Sequence, residues 1–137
     1  RGMLAAMVLG ADAVQIGSRF VASAEASSHI KFKEMVVNAQ EGDTKLTLKE
    51  LAPVRLLKNK FFEDIEALYQ KNPSKEELQQ LLGRARAKKG MFEGDLIEGE
   101  LEIGQISGLI KTIKPAAEIV KEIIDEFESV QSQLHQY

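Results

Sequence analysis

The stretch GMLAAMVLGADAVQIGSRF, Gly2 to Phe20, constrains the fold more than any other part of the chain. Gly2 to Leu9 is apolar nearly all round, so a helix here has to be buried on most sides. Gly10 stands where a helix C-terminal glycine belongs. Asp12 to Ile16 is short, apolar and partly β-branched, and it ends on Gly17. That predicts a buried parallel strand rather than more helix. A helix, a tight joint and a buried strand are the second half of a β-α-β unit, so the expected class is α/β. The chain also opens at Arg1 without an initiator Met or a polar lead-in. It is expected to be a piece of something longer.

A strand that ends in Gly17-Ser18 and turns at once into a short helix offers two physical resources. Gly17 has no side chain, so a ligand can approach the backbone closely. The N–H groups that open the next helix favour an anion, helped by the helix dipole and the Ser18 hydroxyl. In (β/α)8 barrels a phosphate site is often built after strands seven and eight, at the start of a short extra helix. Arg19 either adds a positive charge there or points outward to pair with Glu25. The plainer alternative is a tight strand-to-helix turn with no ligand.

Further along, a helix is expected from about Ser28 to Gln40. Thr44, Leu46 and Leu48 alternate with Lys45, Thr47 and Lys49, the period of a half-exposed strand, and Val54 to Lys58 can pair with it. Phe61, Phe62, Ile65, Leu68 and Tyr69 share one helical face after Asn59. Ser74 and Glu77 form a capping box ahead of Leu78, Leu81, Leu82 and Ala85. Lys89 to Gly99 is glycine-rich and reads as a loop, and Glu100 to Ile110 reads as helix. The last helix is marked by Ala116, Val120, Ile123, Phe127, Val130 and Leu134, stepping by four and three, with Pro115 at its start.

Composition narrows the function. Lys plus Arg number 18 against 21 Asp plus Glu, a formal net charge of -3, so no nucleic-acid or anionic-membrane partner is expected. The chain has no Cys, hence no thiolate nucleophile, disulfide or Cys-based zinc site. His29 and His135, the two histidines, are far apart, so no metal site is expected either. His29 precedes a helix and is read as hydrogen-bonding its first turn; His135 is read as solvated. The basic run Arg84, Arg86, Lys88 and Lys89 suits a helix's last turns, where cations complement the dipole. No aromatic residues interleave with it to stack on bases. There is no apolar run of membrane-spanning length and no signal segment, so a cytoplasmic location is expected.

The segment RGMLAAMVLGADAVQIGSRFVAS resembles the seventh helix and eighth strand of the nitronate monooxygenase family, which includes flavin-dependent enoyl-acyl-carrier-protein reductases. The similarity continues in HIKFKEMVV (His29 to Val37), VRLLKNKF (Val54 to Phe61) and EGDLIEGELEIGQISGLI (Glu93 to Ile110). The late pattern Gly94-Asp95, Gly99, Gly104-Gln105 and Gly108-Leu109-Ile110 separates this family from IMP dehydrogenase and other phosphate-binding barrels. The resemblance implies an FMN-binding (β/α)8 barrel with a smaller, mostly helical substrate-covering region. On that basis residues 1–41 end the barrel, with helix seven, strand eight, the phosphate-binding turn and the following helix. Residues 42–110 form the covering region with its small two-stranded piece, and 111–137 form an amphipathic C-terminal helix.

The resemblance also implies site residues. Gly17 and Ser18 would hold the FMN phosphate, while Gly104 and Gln105, matching the family's Ala-Gly-Gln, would lie near flavin and substrate. Some relatives carry Ser two places before that Gly; here the position is Glu102, and no substrate-contact role is carried over to it. The family's catalytic histidine and its other phosphate-binding turn would lie upstream of Arg1, so no catalytic residue is expected in this chain. A whole barrel of this kind needs roughly 250 residues or more, so these 137 residues are not expected to catalyse unaided. The implied partners are a small-molecule nitronate or enoyl thioester, the missing N-terminal barrel portion of the same protein, and a second copy in a homodimer. In the reductase branch the basic run could also meet an acidic carrier protein. Two rival readings keep their place at this point: a non-flavin barrel of the IMP dehydrogenase type, and a non-enzymatic helical interaction module.

Overall fold

The computed structural model describes residues 1–134, so the expectation for His135 lies outside the described residues. Its elements run α1 (Gly2–Val8), α2 (Ser18–Val21), α3 (Ile30–Asn38), β1 (Thr44–Thr47), β2 (Val54–Leu57), α4 (Lys60–Tyr69), α5 (Lys75–Leu82) and α6 (Ala116–Leu134). A π-helical turn at Lys88–Phe92 and a 3-10 turn at Gln105–Leu109 lie between α5 and α6. β1 and β2 pair antiparallel, Thr44 opposite Leu57 and Thr47 opposite Val54, as the alternating pattern predicts.

Most helix ends are set by local chemistry. Gly10 closes α1 at φ +95, with the Gly10 N–H donating to Met7 O and the Ala11 N–H to Ala6 O. That pair of bonds is a Schellman closure, which wants glycine at the left-handed position. His29 caps α3, its Nδ1 accepting from the Lys31 N–H at 3.2 Å. Ser74 and Glu77 make the full reciprocal capping box at α5. Asn59 caps α4 through Oδ1 and donates from Nδ2 to Leu96 O and Gly99 O, fastening that helix to the glycine-rich loop.

Two cores form. One is built on Leu48, Leu56, Phe61, Phe62, Ile65 and Leu78, between the two-stranded sheet, α4 and α5. The other joins Ala22, Phe32 and Val36 to Leu57, Leu101, Ile103 and Ile110, residues on both sides of position 41. Arg86 belongs to the scaffold: its guanidinium lies 4.4 Å from the Phe61 ring centroid and donates to the carbonyls of Leu81, Leu82 and Glu98. The basic run does not lie in the last turn of α5, as expected, but beyond its end at Leu82; of the run, Arg86 reaches back to the helix's last carbonyls, where a cation complements the dipole.

Six expectations are corrected. Asp12 to Ile16 is not a paired strand, and Asp12, Ala13, Val14 and Gln15 are exposed. A parallel strand needs neighbours to bond with, and the only sheet among the described residues is β1–β2. For the same want of neighbours α1 buries none of its residues, and Leu9 beyond it is 88% exposed. Glu100 to Ile110 is not a helix. Residues 101–103 run antiparallel beside β2, with the Leu57 N–H donating to Leu101 O and the Ile103 N–H to Arg55 O. Buried Leu101 and Ile103 are two apart, a strand period that the glycines at 99 and 104 punctuate. Finally, Ile119 rather than Val120 is the deepest residue of α6, and the packed face runs Ile119, Ile123, Phe127 and Val130. α5 also stops at Leu82, short of Ala85, and in β1 Thr47 rather than Leu46 faces inward.

Candidate functional site

The turn Gly17-Ser18 and the motif Gly104-Gln105 are 86 residues apart, yet they meet. The Gly104 N–H donates to Ser18 Oγ at 3.0 Å. A methyl group on Gly104 would lie 2.6 Å from that oxygen and would push the Ser18 hydroxyl out of its present position. Accepting this bond leaves the Ser18 hydroxyl proton free to be donated elsewhere. α2 begins at Ser18, and its first bonds run from the Phe20 and Val21 N–H groups to Gly17 O. The N–H groups of Gly17, Ser18 and Arg19 are therefore outside the helical bonding, as at any helix start. A side chain at Gly17 would meet nothing within 4 Å.

These residues line an open cleft of about 380 Å³ between α2, β2 and the 102–104 segment. Gly17, Ser18 and Gly104 share it with Arg55 and Glu102. Gln105 is exposed and lines an adjoining hollow of about 610 Å³, together with Thr44, Gly108 and, again, Arg55. The sequence-predicted residues thus come together in part: three in one cleft, and Gln105 in the next.

Arg55 is the residue that sequence reasoning missed. It stands on β2, and its Nη1 donates to the carbonyl and the hydroxyl of Thr44, at 3.3 and 3.2 Å. That anchors a positive charge between the two hollows. The only signal was its place within VRLLKNKF, which carries the resemblance but assigns it no role. Arg19 takes neither of its expected positions. It donates to Thr112 O at 3.0 Å, while the Glu25 carboxylate accepts from the Ala116 N–H at the start of α6. Local charge favoured an Arg19–Glu25 pair, but a helix N-terminus is the better partner for a carboxylate.

Two residues before Glu102 stands a second carboxylate, Glu100, which is 7% exposed. Burial pushes its carboxyl up to about 6, the charge of Glu102 adds to this, and Arg86 opposes it. Gly94-Asp95 has a structural task. Asp95 Oδ1 accepts from the N–H groups of Ile97 and Glu98, and Lys89 pairs with its other oxygen at 2.9 Å. The Glu98 N–H, then Lys89 and the Ile97 N–H, hold the Asp95 carboxyl down to about 2. Gly99 and Gly90 meet back to back: a methyl on Gly99 would lie 2.2 Å from the Gly90 Cα. The late glycine pattern therefore builds the loop that lets 101–103 lie along β2 and delivers Gly104 to Ser18.

The family model described as nitronate monooxygenase matches residues 1–126. The chain belongs to the nitronate monooxygenase family. Within that family, a probable nitronate monooxygenase of Staphylococcus aureus (strain MSSA476) is 29% identical over 131 residues, covering 95% of this chain and 36% of that protein. One of Bacillus subtilis (strain 168) is 43% identical over 67 residues, 48% of this chain and 19% of that protein. Among solved structures, FabK from Thermotoga maritima superposes with a TM-score of 0.87 at 39% identity, over 100% of this chain and 43% of that one. The chain spans well under half the length of each of these relatives. The family's α/β character is present in the helices and the two-stranded sheet of the described residues.

Proposed function

We propose that the chain is the C-terminal part of an FMN-dependent oxidoreductase and that the Gly17-Ser18 turn holds the FMN phosphate. The Gly104–Ser18 bond carries this reading, because it joins the two motifs on which the family resemblance rests in one cleft. The donor set suits a phosphate: N–H groups at a helix start, a hydroxyl with its proton to give, open space at Gly17, and Arg55 within the same cleft. FMN, when bound, supplies the electron transfer. The protein's share is to grip the phosphate and to shape the substrate side, where Gln105 lines the neighbouring hollow. In this reading α1 and Asp12 to Ile16 are the last helix and strand of a (β/α)8 barrel. Their exposed apolar residues, Val8, Leu9 and Val14, are the faces that the rest of the barrel covers.

The leading activity is oxidative denitrification of alkyl nitronates with O2 as the oxidant. A second reading, reduction of an enoyl thioester by NAD(P)H, has its own support. The FabK structures match the whole chain at 38% and 39% identity, above the 29% of the Staphylococcus aureus relative over a similar span. The basic run gives that reading little, since Arg86, Lys88 and Lys89 are engaged with Glu98, Glu93 and Asp95.

The test is the visible absorption spectrum of the protein expressed from its full reading frame. O2 uptake with an alkyl nitronate is then compared with NAD(P)H oxidation in the presence of an enoyl thioester. Flavin bands with nitrite release support the first reading, and flavin bands with enoyl-dependent NAD(P)H oxidation support the second. A folded, colourless protein that takes up no added FMN overturns both.

A further inference from the structure

Lys33 lies on the inward face of α3 and is 5% exposed, yet among the described residues it forms no ion pair with a carboxylate. Its ammonium instead donates to three backbone carbonyls of one loop: Ser23 O at 2.6 Å, Ala26 O at 2.8 Å and Ala24 O at 3.2 Å. Three donors meet three acceptors, which is the full capacity of the group. The loop's other polar groups have partners of their own. The Ala24 N–H donates to Lys114 O, the Ala26 N–H to Ser23 Oγ, and the Glu25 carboxylate caps α6. Ser28 Oγ closes the loop by donating to Val21 O, the last residue of α2. The loop therefore joins α2, α3, α6 and the 112–115 segment, and its centre is a cluster of inward-facing carbonyls.

Such a cluster repels itself unless something positive sits in it, and leaving carbonyls buried and unpaired is costly. We propose that Lys33 is a tethered cation. Its ammonium does for the 23–26 carbonyls what a bound monovalent cation would do, and through them it fixes α2. The turn that opens α2 is Gly17-Ser18, so Lys33 is a positioning residue for the contact between Ser18 and Gly104. It touches neither of them. The link to FMN rests on the proposed function above; the cation role does not.

Truncation to alanine should leave a hole edged by three carbonyl oxygens, open to a free monovalent cation of suitable size. Truncation to methionine should fill the same hole with an apolar chain. In the full-length protein, Lys33→Ala is expected to lower the thermal midpoint, to raise hydrogen exchange at residues 18–22, and to weaken FMN binding by about tenfold, one decade in Kd. Ammonium or potassium chloride should restore all three towards the parent values, while tetramethylammonium chloride at equal ionic strength should not. Lys33→Met should show the losses without the rescue. Unchanged exchange at 18–22 in Lys33→Ala overturns the positioning role. Losses that ammonium and potassium do not repair, or repair equally in Lys33→Met, overturn the tethered cation. Should Lys33→Ala be insoluble, recovery in ammonium but not in tetramethylammonium buffers is the rescue, and insolubility in both overturns the proposal. A parent protein that takes up no FMN sinks the flavin reading alone, because midpoint and exchange still decide Lys33.

Discussion

Val14 to Ile16 and Leu101 to Ile103 each set two apolar residues around a polar one next to a glycine, and they end in opposite circumstances. Leu101 and Ile103 are buried because β2 offers N–H and C=O partners along one side and Phe32, Val36 and Leu57 form a surface to pack on. Among the described residues Val14 has no strand beside it, and neither core cluster includes it. Apolar residues state what a segment would bury; backbone partners decide whether it does. The glycines repeat the contrast. Gly99 and Gly90 are locked against each other, whereas Gly17 faces open space.

The sharpest way to break the contrast is to put a side chain where the glycines touch. A Cβ on Gly99 would meet the Gly90 Cα at 2.2 Å and Asp95 O at 2.3 Å, both backbone atoms that cannot swing aside. Gly99→Val is therefore expected to displace the whole 88–99 loop and with it the 101–103 pairing. Backbone clashes of this kind belong with the largest single-substitution losses, above about 4 kcal/mol. Denaturant unfolding monitored by circular dichroism should show little or no cooperative transition. A variant that melts like the parent would mean that the two glycines do not hold the loop.

Much of the closed region was legible beforehand, and the reason is local chemistry. The Ser74–Glu77 capping box, the β1–β2 pairing and the cap at His29 each depend on residues within about four positions or on one hairpin. The two longest misreadings, Asp12 to Ile16 and Glu100 to Ile110, concern segments whose state is set from far away. Glu100 to Ile110 has enough Leu and Ile for either period, and β2, more than 40 residues upstream, decides for the extended form. Arg55 escaped notice because its value comes from standing between two hollows, which no spacing in the sequence encodes. Gly17, Ser18 and Gly104 were named from a family resemblance, and their meeting in one cleft is a tertiary fact.

Glu100 gives a smaller and more graded handle on the same closed region. Its carboxyl is raised to about 6 from an ordinary 4.5, with burial the first cause. A raised acid favours the folded state fully below its ordinary value, and the advantage is lost as pH rises through the folded value. The parent should therefore lose stability between pH 4.5 and about 6, by on the order of 1–2 kcal/mol for a shift of this size. Glu100→Gln, which cannot ionise, should flatten that slope. Thermal midpoints taken across pH 4 to 7 would check it (a range set around these two values). An equally steep fall in the variant would assign the slope to other groups.

The smallest effect on folding is expected at Gly17, and there the contrast is most informative. Its φ of -100 is open to any residue, and an added Cβ meets no atom within 4 Å. If the space in front of Gly17 is kept for a ligand, Gly17→Val should melt with the parent when flavin is removed and yet bind FMN much more weakly. If instead the glycine serves only the strand-to-helix turn, Gly17→Val should be neutral in both measurements. A loss of stability in the flavin-free protein would point to a third case, a neighbouring part of the barrel packed against Gly17 as tightly as Gly90 is packed against Gly99. Comparing midpoints with flavin affinities for this one variant therefore separates a glycine kept for a ligand from a glycine kept for packing, the distinction between Gly17 and the Gly90–Gly99 pair.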